Sequence, residues 1–468
     1  MTSKVPAIVI LGPGSLATAR RIQQRYPDAL IHGLSGRVEG VDRQYTEFGT
    51  TLRELYQQDT PIIALCAAGI VIRTLAPLLL EKGVEPPVLA VAEDGSAVVP
   101  LLGGLGGVNV MARDIATALQ VTPAITTSGE LRFGTCLLNP PSGYSLGDLE
   151  QGKRFVSDLL AGELVRIEGA APWRVQSQLP EDERAGLTIR IDSAAGTPAA
   201  DELRIYPRNV LVALSAGASA DIGAILEQAG LAPQSLACLL AADSDMARPE
   251  LHETASALGV PLRFAAINGN LETALSDALG QPASLQVMGS HAIAVTEQPL
   301  DPDQIGRPRG RLAVIGLGPG AAELMVPAVR AELDRATDVL GYETYVRMAG
   351  PFRSDQVQHC TDNREEMQRA RHAFELAAQG RSVVVVSSGD PGVFAMAAAV
   401  LEALHESTDA HWHSVDLQIL PGVSASLATA AQAGAPLGHD FCVMSLSDNL
   451  KPWSIIEKRL DLAAEADL

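Results

Sequence analysis

Three short runs of small residues each follow an apolar stretch in the last third of the chain. They are GLGPG at residues 316–320, SSGDPG at 387–392 and PGVSAS at 421–426. Because glycine has no Cβ, a loop rich in glycine lets backbone N–H groups approach a ligand closely. In an open α/β sheet, ligands bind outside the carboxyl ends of the strands, and these loops follow such ends. The pattern therefore predicts that the three loops converge at one rim of one sheet.

The spacing of the first glycines limits what this rim can bind. G-x-G-x-G at residues 316–320 differs from the dinucleotide fingerprint, and no Lys-Ser/Thr pair follows it as a P-loop requires. A dinucleotide-dependent dehydrogenase is thus disfavoured. Taken alone, this run is equally consistent with a tight strand-to-helix turn.

Longer segments around these runs share features with one enzyme family. Residues 312–320, 383–394, 417–431 and 434–448 together resemble the tetrapyrrole methylases. The pair SSGDPG and HDFCVMSLSD, followed by PWSIIEKRL, is similar to the precorrin-3B C-17-methyltransferase branch. The resemblance implies the amino-terminal lobe of a methylase, acting in cobalamin synthesis by methylation at C-17 with ring contraction. Whether the macrocycle carries cobalt is left open.

The same resemblance implies a cofactor and the residues that hold it. The cofactor is S-adenosyl-L-methionine, and a homodimer is the oligomer typical of such methylases. The residues expected to line the cofactor cleft are Pro319, Ser388, Gly389, Asp390, Val393, Ser424 and Ala425. Small side chains suit an adenosyl group, and a carboxylate can accept hydrogen bonds from its donors. Asp390 has an alternative interpretation as a turn-forming residue ahead of Pro391.

Ring contraction requires protons to be moved, so a general acid or base must exist. His439 and Asp440 are the candidate catalytic residues, since a carboxylate near an imidazole can tune its charge state near neutrality. A structural role is an equally good interpretation, because adjacent residues in a strand point to opposite faces.

Two features depart from the methylase pattern. Ala321 and Ala322 follow Gly320, where the family commonly has an acidic residue. The methylase-like stretch also stops at residue 468, before a second lobe would be complete. We therefore expect an incomplete methylase domain.

The first third of the chain carries a second resemblance. AAGIVIRTLAPLLLEK at 67–82, AEDGSAVVPLLGGLGGVNVMARDIATAL at 92–119 and PAITTSGELRFG at 123–134 resemble the amino-terminal half of CbiG, a cobalt-precorrin-5A hydrolase. The resemblance covers about residues 7–134 and extends more weakly to 295. It implies opening of a lactone with release of a two-carbon aldehyde.

A noncatalytic corrinoid-binding or scaffold protein of the same pathway is the alternative. CbiG proteins often have His where this chain has Leu105, and the Cys-Arg pair usual near Ala218 is absent from the sequence. Both departures remove groups that could act in hydrolysis.

Three residues of the CbiG-like part are candidate substrate ligands. Asn109 lies at the predicted start of a helix behind a glycine-rich turn, where free backbone N–H groups can receive a carboxylate of a corrin precursor. Arg73 can bind another carboxylate, or it can join Lys82 on a solvated helix face. Asp94 is placed to activate water, or it forms an Asp-Gly turn between strands.

Composition excludes other classes of function. The chain has 35 Lys and Arg against 55 Asp and Glu, a formal net charge of -20, which disfavours nucleic acid and anionic membranes as partners. No apolar run reaches the ~20 residues of a bilayer span, and the first residues do not form a leader, so we expect a cytoplasmic protein. The 5 cysteines form no C-x-x-C pair, and we predict no metal site.

The organisation along the chain follows from alternating strand and helix patterns. With 468 residues, 47% hydrophobic and 19% charged, the chain predicts several α/β domains with parallel sheets. Predicted strands include residues 7–11, 62–66, 88–91, 187–191, 210–214, 262–265, 312–315, 382–386 and 417–420. The predicted divisions are a CbiG amino-terminal domain at 1–140, a middle segment at 141–206, a CbiG carboxyl-terminal or CobE-like domain at 207–296, a linker at 297–310 and the methylase domain at 311–468.

Overall fold

A computed structural model describes residues 5–79, 85–218, 221–267, 270–353, 355–362, 365–448 and 451–468. The chain divides into two compact units, Met1–Pro308 with Arg353–Asp355, and Arg309–Phe352 with Gln356–Leu468. Each unit consists of mostly parallel sheets with helices between the strands, so the predicted α/β class is confirmed. Among the described residues, no helix combines the length and apolar character needed to cross a membrane.

The first sheet of the first unit has helices on both faces. Its strands are β1 (Ala7–Ile10), β2 (Leu30–Leu34), β3 (Arg43–Tyr45), β4 (Ile62–Leu65), β5 (Val88–Val91) and β6 (Val98–Leu102). Their order is β3-β2-β1-β4-β5-β6, and only β6 is antiparallel to its neighbour. The helices are α1 (Leu16–Arg25), α2 (Phe48–Gln57), α3 (Ala68–Leu75), α4 (Val108–Leu119) and α5 (Ser128–Phe133). Ile8 and Ile10 pack into one core and Val9 into the other, because successive side chains of a strand point to opposite faces.

Two smaller sheets complete the first unit. The second sheet contains β7 (Tyr144–Leu146), β8 (Val165–Glu168), β9 (Leu187–Ile191) and β10 (Glu202–Pro207) in the order β7-β10-β9-β8, covered by α6 (Leu149–Ala161). The third contains β11 (Val210–Leu214), β12 (Leu236–Ala242), β13 (Leu262–Ala265), β14 (Ala283–Met288) and β15 (His291–Thr296) in the order β13-β12-β11-β15-β14. Its helices are α7 (Ile222–Gln228), α8 (Pro249–Leu258) and α9 (Leu271–Leu279).

Much of the segment predicted as a linker, residues 297–310, packs onto the third sheet. Leu300 and Ile305 are buried in its core, with 7% and 2% of their surface exposed. Arg307 exchanges backbone hydrogen bonds with Phe264 of β13, and its guanidinium pairs with Asp243. Apolar residues isolated among Pro, Gly and charged residues can thus be buried when a sheet face lies beside them.

The second unit is built on one parallel sheet. Its strands are β16 (Arg311–Gly316), β17 (Asp338–Tyr342), β18 (Val357–Thr361), β19 (Ser382–Ser387) and β20 (Asp416–Leu420), in the order β18-β17-β19-β16-β20. Its helices are α10 (Pro327–Arg335), α11 (Glu343–Ala349), α12 (Glu366–Ala378), α13 (Met396–Glu406), α14 (Ala410–Ser414), α15 (Ala425–Gln432) and α16 (Trp453–Glu465). Val383 and Val385 pack against α12 and α13, whereas Val384 and Val386 face the opposite core. Both units also contain short 3-10 turns. They span Pro13–Ser15, Ala76–Leu78, Gly104–Gly106, Pro172–Gln176, Pro233–Ser235, Asp243–Asp245, Pro302–Gln304 and Ala322–Leu324.

A buried carboxylate stabilises the amino end of this sheet. Asp338, with 0% of its surface exposed, accepts hydrogen bonds from Arg381 Nε at 2.6 Å and Thr337 Oγ1 at 2.7 Å, and its Oδ1 lies 2.8 Å from His359 Nε2. We expect Asp338→Asn to lower the free energy of unfolding by about 2 kcal/mol, because it leaves Arg381 without its counter-charge. Urea denaturation of the variant measures this loss.

A matched control is the exposed ion pair between Arg371 and Glu406, whose atoms are 3.2 Å apart. Removing its charge with Glu406→Gln should change stability by less than about 0.5 kcal/mol, because solvent screens exposed pairs. Equal effects of the two substitutions would contradict a stabilising role for the buried carboxylate.

Candidate functional site

The carboxyl ends of β16, β19 and β20 lie side by side in the sheet of the second unit. Gly316 of β16 lies opposite Ser387 of β19, and Ile315 lies opposite Leu420 of β20, in parallel pairings. Because the strands are in register, the loops that follow them leave the sheet at the same edge. The predicted convergence of the three loops at one rim is therefore confirmed.

The loops touch one another through their backbones. Gly318 and Gly389 exchange two hydrogen bonds, with N···O distances of 3.1 Å and 2.8 Å. A Cβ on Gly422 would overlap the carbonyl oxygens of Gly389 and Gly316. Gly389 has a φ of 60°, in the left-handed region that glycine adopts without strain. The absence of a side chain at Gly422 is thus what lets the third loop meet the other two.

Asp390 ties the second loop to the third. Its Oδ1 accepts a hydrogen bond from Gly392 N at 2.8 Å, and its Oδ2 accepts one from Gly422 N at 3.1 Å. The first bond is the local turn considered as the alternative for this residue. The second bond joins loops that are 32 residues apart in the chain. Each carboxylate oxygen has a second lone pair, so contact with a ligand remains chemically available.

The other residues predicted to line the cofactor cleft lie on the same three loops. Pro319 and Ser388 are half-buried, whereas 42% of the Val393 surface is exposed. Ser424 precedes α15, and its hydroxyl lies 2.8 Å from that of Ser426. Ala425 is exposed at the first position of the helix. The structure thus brings the predicted set to one rim, and its contact with a cofactor stays a prediction.

The predicted catalytic residues lie in a different setting. His439 and Asp440 are exposed and belong to residues 433–448, a segment without helix or strand. Neither side chain makes a hydrogen bond or an ion pair with a described residue. Their assignment as general acid and base stays a prediction.

A buried arginine near the rim was not singled out from the sequence. Arg369 of α12 is 2% exposed. Its guanidinium donates to Thr361 Oγ1 and to the Asp362 carbonyl oxygen, both at 2.7 Å, and contacts Met396 Sδ at 3.1 Å. Burial lowers the pKa of this guanidinium. Because Met396 begins α13, the contact anchors the helix that follows the SSGDPG loop. The signal in the sequence is an arginine among the apolar residues of the buried face of α12.

In the first unit, the glycine-rich turn precedes α4 as predicted. Asn109 in the first turn of α4 is 3% exposed, and its amide donates to Thr127 Oγ1 at 2.9 Å and Glu130 Oε1 at 2.7 Å. The other oxygen of Glu130 lies 2.5 Å from the guanidinium of Arg113. The Asn109 amide therefore joins α4 to α5. To contact a substrate as predicted, the Asn109 amide would have to give up its hydrogen bonds to Thr127 and Glu130.

Arg73 and Asp94 are both at the surface. Arg73 is exposed near the end of α3. Asp94 lies between β5 and β6, and its Oδ1 accepts hydrogen bonds from Ser96 Oγ at 2.6 Å and Ser96 N at 3.0 Å. These bonds hold the pKa of Asp94 below its usual value. This geometry agrees with the Asp-Gly turn considered as the alternative for Asp94. Lys82, which would join Arg73 on a solvated helix face, lies outside the described residues.

Two family models match the chain. The model described as Cobalamin synthesis G N-terminal matches residues 50–130. The model described as Tetrapyrrole (Corrin/Porphyrin) Methylases matches residues 311–467, which include all three rim loops. Two separate segments of the chain thus each match one family model.

Curated relatives match the second of these segments. A precorrin-3B C(17)-methyltransferase of Sinorhizobium sp is 54% identical over 157 residues, which cover 34% of this chain and 61% of the relative. Cobalamin biosynthesis protein CobIJ of Mycobacterium bovis is 52% identical over 159 residues, 34% of this chain and 30% of the relative. The chain therefore spans less than two thirds of the length of either relative.

Solved structures also match. The crystal structure of the methyltransferase CobJ is 56% identical, with 34% of this chain and 65% of that chain covered and a TM-score of 0.32. A cobalamin biosynthesis protein G homolog from Sulfolobus solfataricus is 15% identical, with 62% of this chain and 96% of that chain covered and a TM-score of 0.27.

Proposed function

We propose that the second unit binds S-adenosylmethionine and acts in methylation of precorrin-3B, or its cobalt form, at C-17 with ring contraction. The observation that carries the proposal is the meeting of three small-residue loops at one rim, tied together by Asp390 and Gly422. The 54% identity to a precorrin-3B C(17)-methyltransferase over 157 residues supports the same reaction.

Methyl transfer depends mainly on aligning the methyl group of the cofactor with the accepting carbon of the substrate. S-adenosylmethionine, when bound, would supply an electrophilic methyl group, so little acid–base work is needed for transfer to an electron-rich carbon. Gly389 and Gly422 would hold the loops close together without adding side chains to the cleft, and Pro319, Val393 and Ala425 would form small apolar walls. The ring contraction needs proton transfer, and His439 and Asp440 are proposed for it.

We further propose that the CbiG-like part handles a related macrocycle. Lactone opening is the activity that its resemblance implies, with Arg73 and Asn109 proposed to hold substrate carboxylates and Asp94 to activate water. The hydrogen bonds from Ser96 lower the pKa of Asp94, which weakens it as a proton acceptor.

A noncatalytic corrinoid-binding or scaffold protein is the second candidate. It is favoured by the glycine-rich turn, where the apolar side chain of Leu105 is 40% exposed at the position that often holds His in CbiG proteins. Ala321 and Ala322 favour the same interpretation for the second unit, because they place no carboxylate after Gly320.

Calorimetric titration with S-adenosylhomocysteine tests the proposal. We expect saturable binding, and NAD as a matched control should give none, because the glycine spacing differs from the dinucleotide fingerprint. The absence of any binding at about 1 mM S-adenosylhomocysteine, a level that would detect even weak affinity, would rule out the methyltransferase and leave the scaffold protein.

A further inference from the structure

Phe394 has a conformation that is costly in two ways. Its φ is 53°, in the left-handed region where a bulky side chain is an outlier. Its side chain is apolar, yet 66% of the residue surface is exposed. It belongs to none of the apolar clusters that the described residues form in the second unit. Burial in these cores therefore does not offset the two costs.

The surrounding loop imposes this conformation. Val393 N donates to the Asp390 carbonyl oxygen at 3.2 Å, and Ala397 N donates to the Pro391 carbonyl oxygen at 2.9 Å. The first bond closes a turn at residues 390–393, directly before Phe394, and the second closes a wider loop at residues 391–397 that contains it. The contact of the buried Arg369 guanidinium with Met396 fixes the start of α13 just beyond Phe394. A strained residue that is held so firmly is typical of ligand-binding sites. The loop thus presents the aromatic ring to solvent beside the rim.

We propose that the ring of Phe394 stacks against one face of the tetrapyrrole substrate. The inference rests on the proposed function and names a residue that positions the macrocycle. Phe394 follows the turn at residues 390–393 and comes two residues before α13. Along the chain it is therefore further from the end of β19 than Gly389, which meets the other loops at the rim. Those glycines suit the cofactor, whereas an exposed aromatic ring suits a wide, flat and largely apolar macrocycle whose carboxylates are at its edge.

Two ligands measured on the same variants test this assignment. The probes are uroporphyrin III, followed by its fluorescence, and S-adenosylhomocysteine, followed by calorimetry. We expect Phe394→Gly to weaken porphyrin binding about three- to tenfold, the effect of losing one aromatic stacking contact, and to leave cofactor affinity within about twofold. Phe394→Tyr keeps the ring and should bind the porphyrin as the unaltered protein does.

A second glycine variant serves as the control for relief of backbone strain at Phe394. Gln120 follows α4 with a φ of 58°, so Gln120→Gly relieves a similar strain in the first unit. Both glycine variants should unfold at a temperature no lower than that of the unaltered protein, because glycine adopts this conformation freely. The Gln120 variant should bind both probes normally.

The remaining outcomes of these binding measurements lead to different conclusions. Porphyrin binding that is unchanged in Phe394→Gly, or a loss that falls equally on S-adenosylhomocysteine, would overturn the assignment of the ring to the macrocycle. So would a protein that binds S-adenosylhomocysteine but no porphyrin, and that result would leave the proposed function standing. A protein that binds neither probe would overturn the proposed function itself. A lower unfolding temperature of Phe394→Gly would assign the ring to folding instead.

Discussion

Gly422→Val is expected to weaken binding of S-adenosylhomocysteine at least about a hundredfold, equivalent to roughly 2.7 kcal/mol, because it displaces a loop of the proposed binding site. A Cβ at this position would overlap the carbonyl oxygens of Gly389 and Gly316, so the third loop must move away from the other two. The movement also breaks the hydrogen bond from Gly422 N to Asp390. Calorimetric titration measures the affinity, and circular dichroism shows whether the sheet persists.

Gly186→Val is the matched control for this substitution. Gly186 is exposed, and a Cβ there would meet no atom within 4 Å. We expect cofactor binding by this variant to equal that of the unaltered protein. If Gly422→Val also bound normally while remaining folded, the three loops would not form the cofactor site.

Several strands could be predicted because their signals are local. Residues 210–214 and 262–265 were predicted as strands, and the structure has Val210–Leu214 and Leu262–Ala265. Each is a short apolar run, and Pro261 prevents the preceding helix from continuing into the second. Other strands differ from the prediction by a residue at an end, as at Leu11, because a loop can begin with an apolar residue.

Burial of isolated apolar residues could not be predicted in the same way. Leu300 and Ile305 stand among Pro, Gly and charged residues, a composition typical of a linker. Their burial depends on the face of the third sheet, whose strands come from distant parts of the sequence. Local composition carries no information about such a partner.

The same distinction between local signals and tertiary contacts applies to the candidate site. The meeting of the three loops followed from the rule that parallel strands present their carboxyl ends at one edge. The bond between Asp390 and Gly422 and the enclosure of Asn109 by Thr127 and Glu130 depend on tertiary geometry, and the sequence contained no local signal for them. His439 lies in a segment without helix or strand, so no helical or strand periodicity in the sequence could indicate which way its ring points.

His32 should make the first unit sensitive to acid. Its ring is buried in β2, and burial together with the nearby charge of Arg43 lowers its pKa from 6.5 to about 4, with Asp42 opposing the shift. The folded state thus holds the neutral ring, so its stability contribution is present above pH 6.5 and is lost as the pH falls toward about 4. Between about pH 7.5 and about pH 4.5 this loss amounts to about 2.5 kcal/mol.

His32→Leu isolates this contribution, because leucine fills a similar volume in a site that is 7% exposed and has no proton to gain. Other groups also titrate in this range, so the quantity to compare is the change in unfolding free energy with pH, measured by urea denaturation in both proteins. The change should be smaller in the variant by about 2.5 kcal/mol. Parallel pH profiles would mean that His32 is protonated as readily in the folded state as in the unfolded state.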